Sequence, residues 1–127
     1  MKADETTAFA PRYGADGLVT VVVEDGATNE TLMVAHANAD AIEATLRTGV
    51  AHFWSRSRAE LWRKGETSGN ELDVLSVLTD CDQDALLYRV AVRGGGVACH
   101  TGRRSCFYRS VDPNGSSLSF TGAGSGG

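Results

Sequence analysis

The sequence predicts a β-rich α+β domain, a single compact unit with a mixed sheet and one short helix. Three observations predict it. Apolar, β-branched runs of strand length recur along the chain between polar or glycine-bearing turns. One stretch carries clear helix signals at both of its ends. Finally, 127 residues that are 42% hydrophobic, with a net charge of −4, suit one domain with a real core and exclude a disordered chain.

Residues 1–16 are polar, carry Pro11 and Gly14, and read as a flexible arm ahead of a domain over 17–111. Residues 18–23 are a buried strand, 24–30 a turn, and 31–35 its hairpin partner. Asn38 and Asp40 are good helix N-caps, Ile42 and Leu46 share one face, and Gly49 stands where a helix ends. Residues 50–54 read as another strand. Ser57 and Glu60 have capping-box spacing, with Gly65 as a stop, which predicts one or two helical turns. Residues 65–71 are loop, and 72–78 and 85–92 are strands. In the second, Leu86, Tyr88, Val90 and Val92 alternate on one side. Glycines at 94–96 interrupt the pattern, 105–111 resumes it, and 112–127 is a flexible tail.

Composition excludes several functions. No apolar run approaches the roughly 20 residues of a membrane-spanning helix. The N-terminal residues lack the apolar centre of a signal peptide, so a cytoplasmic address is expected. Cysteines 81, 99 and 106 are odd in number, which fits reduced thiols better than a disulfide framework. Sixteen acidic residues against twelve basic ones argue against nucleic acid as partner. Yet Arg56, Arg58, Arg63 and Lys64 cluster, as do Arg103, Arg104 and Arg109. Two basic patches on an acidic chain point to a small anionic ligand.

Three segments carry chemistry. In the first, Asp80, Asp82 and Asp84 occupy alternate positions, which on an extended backbone points them one way. Clustered carboxylates repel unless a cation sits among them, and oxygen donors suit Mg²⁺. An EF-hand is excluded, because its glycine and final glutamate positions hold Ala85 and Ala91. A solvated acidic turn is the plain alternative. In the second, Cys81, Cys99 and Cys106 are soft ligands that suit Zn²⁺ and leave a fourth position for water. Buried thiols acting as small apolar residues are the alternative. His100 beside Cys99 is a general acid/base or a loop residue.

The third segment runs from Ser55, Arg56, Ser57 and Arg58 through Trp62 and Lys64 to Thr67, Ser68 and Asn70. Hydroxyls and guanidinium forks both fit phosphate, although no Walker loop is present. A solvated basic surface helix is the alternative here. Trp54 and Trp62 read as core or pocket wall, and His52 as structural.

The runs FWSRSRAELWRKGETSGN, DCDQD and ACHTGRRSCFYR together resemble phosphoribosyl-AMP cyclohydrolase, over about residues 17–110. The resemblance implies hydrolysis of the N1–C6 bond of phosphoribosyl-AMP, the third step of histidine biosynthesis, by a zinc-activated water. It implies zinc on Cys81, Cys99 and Cys106, and magnesium on Asp80, Asp82 and Asp84. It also implies an intertwined homodimer, with Cys81 of one chain meeting Cys99 and Cys106 of the other. The two basic patches, including Arg103 and Arg104, then match the two phosphates of that substrate. Two positions depart from the family's usual pattern: His36-Ala37-Asn38 replaces an aromatic-Met-Asn run, and Glu24 replaces Gln. They motivate a second reading, a retuned zinc-dependent purine-nucleotide hydrolase or deaminase on the same scaffold.

Overall fold

The computed structural model describes residues 5–94 and 96–121; the start and end of the expected arm and tail lie outside them. Its centre is built from β1 (Val19–Asp25), β2 (Thr31–Ala37), β5 (Leu72–Thr79) and β6 (Ala85–Val92). These form one sheet in the order β2-β1-β6-β5. The β1–β2 and β5–β6 pairs are antiparallel hairpins, whereas β1 and β6 run parallel, so the sheet is mixed as predicted.

Alternation decides which face of the sheet is buried. Val19, Val21 and Val23 of β1 are buried, and the last two sit beside Leu86 and Tyr88 of β6. On the other face Val34, Val22, Leu87 and Leu78 form one aliphatic row across all four strands. Val34 and Leu78 are each 45% exposed.

Helix α1 (Ala39–Thr48) packs on the buried side, through Ala41, Ile42, Ala44 and Thr45. Its ends follow the expected chemistry. The Asn38 side-chain oxygen accepts from the Ala41 N–H at 2.9 Å, and Gly49, at φ 76°, donates its N–H to Thr45. The buried Thr45 hydroxyl accepts the His52 N–H at 2.9 Å and ties the helix to β3 (His52–Ser55). His52 itself bonds the Val50 carbonyl through Nδ1, in the structural role expected of it.

The helical turns expected after Ser57 are not formed. Residues 56–59 make a tight turn, with Ala59 at φ 51°, and β4 (Glu60–Arg63) pairs back on β3. Packing overrides the capping-box signal. The pairing sets Trp62 opposite Phe53, whose fully buried ring contacts Trp62 at 5.6 Å and stacks on Tyr88 at 5.9 Å. A helix there would turn Trp62 off that ring pair.

The strand expected over 105–111 is shorter, as β7 (Arg109–Val111), paired with β8 (Leu118–Phe120). The preceding residues dock instead on β2, the edge strand of the main sheet. Cys106 donates its N–H to Leu32, and the buried Ser105 hydroxyl donates to Thr31, both at 2.7 Å. Among the described residues no helix is long and apolar enough to cross a membrane.

Candidate active site

The loop after β6 brings two of the three cysteines together. Cys99 donates its N–H to Arg103, Gly102 donates back to Cys99, and Gly102 takes the left-handed conformation this tight turn requires. The Cys99 and Cys106 side chains lie close enough to shift each other's ionisation. Lys64 is buried beside both thiols, its N–H bonded to Ala51 directly after β4.

This neighbourhood divides the two thiols electrostatically. Burial opposes ionisation of Cys99, but the Thr101 hydroxyl and N–H, the Cys106 thiol and the Lys64 charge outweigh it and lower its pKa. The Thr101 hydroxyl lies 3.0 Å from the Cys99 sulfur. Burial first, and then Cys99, pushes the Cys106 thiol up to about 11. The two thiols are thus set apart, Cys99 disposed towards thiolate and Cys106 towards thiol. That is a soft donor pair of the kind Zn²⁺ takes. His100 is exposed on the same turn, next to Cys99.

Cys81 is not with them. It is exposed in the turn between β5 and β6, whose first paired residue, Ala85, lies beside Thr20. Cys106 hangs on Leu32, adjacent to Met33, the partner of Val23. The two levels differ by about three strand residues, on the order of 10 Å.

The turn that holds Cys81 gathers the three aspartates. One ligand oxygen from each of Asp80, Asp82 and Asp84 lies within 4.8 Å of the others. Among the described residues this is the one group of three or more metal-type side chains so close. A compact turn, rather than the extended backbone expected, does this: Asp80 Oδ1 accepts the N–H groups of Asp84 at 3.0 Å and Ala85 at 3.1 Å. Hydrogen bonding with Asp80 and then Asp82 pushes the Asp84 carboxyl up to about 6. Such crowding is relieved by a hard cation.

A cleft of about 580 Å³ opens along the free edge of β2, walled by Met33, His36, Trp54, Arg56, Ser57 and Trp62. Lys64 lies 5.6 Å from the Trp62 ring and within the electrostatic field of both thiols, which links the cleft to the thiol pair. A family model described as phosphoribosyl-AMP cyclohydrolase matches residues 33–108, from this cleft wall past Cys106. The chain belongs to the phosphoribosyl-AMP cyclohydrolase family. The phosphoribosyl-AMP cyclohydrolase of Sphingopyxis alaskensis is 64% identical over 112 residues, covering 88% of this chain and 87% of the relative. That of Brucella canis is 56% identical, over 93% of this chain and 85% of the relative. That of a Chelativorans species is 60% identical, over 85% and 78% respectively.

Within this phosphoribosyl-AMP cyclohydrolase fold the predicted anion-binding residues have different surroundings. Arg56 and Ser57 line the cleft, but Ser55 accepts from the Arg58 N–H and Nε, and Arg58 pairs with Glu60 at 3.4 Å. Thr67 and Ser68 are exposed in the loop that ends at Asn70. Gly65 is essential to that loop, since a Cβ there would lie 2.4 Å from the Asn70 backbone. Arg104 is bound to Asp25 and Glu30, which pins the cysteine loop to the β1–β2 turn. Arg103 lies over the Tyr108 ring at 4.1 Å, with its Nε buried and without a hydrogen-bond partner. Sequence reasoning missed Thr101 and the proximity of Lys64 to the thiols. Only its place two residues after Cys99 marked the former, and nothing local marked the latter.

Proposed function

We propose that this chain hydrolyses the N1–C6 bond of the adenine ring of phosphoribosyl-AMP, a step of histidine biosynthesis, in the cytoplasm. The observation that carries the reading is the junction of the Cys99–Cys106 pair with the tryptophan-walled cleft through Lys64. Trp54 and Trp62 offer flat faces to a purine. Arg56 and Ser57 offer donors to a phosphate. The names of the relatives agree with this assignment.

Zinc is held by Cys99 and Cys106 together with the partner subunit's Cys81, in a homodimer. Two observations support the shared site. Cys81 stands at the far end of the sheet from the other two thiols. The half-open aliphatic row on the outer sheet face is a surface a second copy would cover. Zinc bound there would lower the pKa of a water molecule towards neutrality and so supply a nucleophile at neutral pH.

The chain's own residues do the rest. His100, one residue from Cys99, takes a proton from the attacking water at its imidazole and returns it to N1 as the ring opens. Lys64 stabilises negative charge on the thiol pair. Asp80, Asp82 and Asp84 hold Mg²⁺, which neutralises their repulsion and has affinity for substrate phosphate.

The test is turnover of phosphoribosyl-AMP by zinc-loaded protein, followed by absorbance, with and without a zinc chelator in excess Mg²⁺. Chelator-sensitive turnover is expected, with AMP left unchanged. No turnover by folded, zinc-loaded protein overturns the reading, and deamination of AMP replaces it with the retuned hydrolase.

A further inference from the structure

We infer that Gln83 is a positioning residue through which the N-terminal arm holds the acidic turn in its working shape. The inference rests on the magnesium reading of Asp80, Asp82 and Asp84. Gln83 stands between two of those aspartates, yet it is 5% exposed while Asp84 is open to solvent. Its backbone is left-handed, at φ 61°, a conformation that a residue with a Cβ holds only when its surroundings compensate.

The compensation comes from the arm. Gln83 Oε1 accepts the Ala10 N–H at 2.8 Å, and Nε2 donates to the Ala8 carbonyl at 3.2 Å. The Gln83 backbone carbonyl accepts the Arg12 N–H at 2.7 Å. One residue therefore binds positions 8, 10 and 12, three alternate residues of an arm some seventy positions away in sequence. On the other side, its N–H bonds the Asp80 carbonyl, so arm and turn are joined through a single side chain and its backbone. The same clasp brings Arg12 and Tyr13 to the wall of a cleft that also contains Asp82 and Asp84.

The directions of Asp82 and Asp84 depend on the backbone of the residue between them. A buried amide stripped of its partners would not keep that backbone left-handed, and the aspartate oxygens would splay. Residues that orient metal ligands in this way are worth about 10- to 100-fold in metal affinity.

The experiment is calorimetric titration of the zinc-loaded full chain with Mg²⁺, for wild type, Gln83→Met, Ala10→Pro and the double variant. Gln83→Met keeps the side chain's bulk and removes both of its hydrogen bonds. Ala10→Pro removes one N–H without touching the turn, and carries the test if Gln83→Met does not fold. Each single variant is expected to bind Mg²⁺ about 10-fold or more weakly, with zinc content unchanged. The double variant is expected to bind no more weakly than Gln83→Met alone, because both changes cut the same contact. Wild-type affinity in both single variants, or additive losses in the double, overturns the inference. Absence of Mg²⁺ binding by the wild type overturns the magnesium reading beneath it.

Discussion

The backbone N–H of Cys106 donates to the carbonyl of Leu32 at 2.7 Å, so the free edge of β2 itself carries one of the paired thiols. The neighbouring Ser105 hydroxyl completes the attachment by donating to Thr31 and accepting from Phe107. An edge strand that would otherwise expose unpaired groups is used to hold a functional loop. Ser105→Ala removes the hydroxyl and leaves the Phe107 N–H and the Thr31 carbonyl without this partner. It is expected to lower stability by about 1 kcal/mol in urea unfolding and to speed zinc loss to a chelator.

The division of the cysteines predicts complementation. Cys81→Ser and Cys99→Ser are each expected to abolish activity when purified alone. Mixed in equal amounts and allowed to exchange subunits, they are expected, on the proposed shared site, to form hybrid dimers with one intact site. About one quarter of wild-type activity then returns, from the statistics of random pairing in a two-fold dimer. Recovery of none, by variants shown to exchange, would place all three thiols within one chain.

Lys64 lies within the field of both thiols and favours the thiolate of Cys99. Lys64→Met keeps the stem's bulk and removes the charge. Alkylation of metal-free protein at pH 7 is expected to slow about tenfold at Cys99, and kcat/KM to fall by at least as much. Unchanged alkylation would show that Thr101 and Cys106 set the thiol's reactivity without the Lys64 charge.

Asp25 is a buried carboxylate whose pKa is lowered. Burial works against ionisation, but the Ala27 and Thr28 N–H groups and Arg104 prevail. Because the folded value lies below the unfolded value near 3.8, folding favours the charged form. The stabilisation is complete above pH 3.8 and is lost as pH falls through the folded value. Asp25→Asn is expected to cost about 2 kcal/mol at pH 7 and to flatten the acid limb of the stability curve. A variant with an unaltered acid limb would assign that limb to other carboxylates.

Much of this was legible in the residues themselves. The β-branched run at residues 18–23 marked one strand, alternation along Ala85–Val92 marked another with its buried face, and Asn38 with Gly49 marked both ends of the helix. The cysteine, aspartate and Ser/Arg segments were enough to point to the family to which the chain belongs. Tertiary structure decided the rest. It turned residues 60–63 into a strand, because only in that form does the Trp62 ring meet Phe53, which itself stacks on Tyr88. It brought Lys64 to two thiols and bound Gln83 to residues 8–12, contacts between segments that carry no local mark of each other. Capping, turn and alternation signals act within a few residues, so they can be read along the chain. Which distant segments meet is settled by burial of the shared core, and no stretch of sequence contains that by itself.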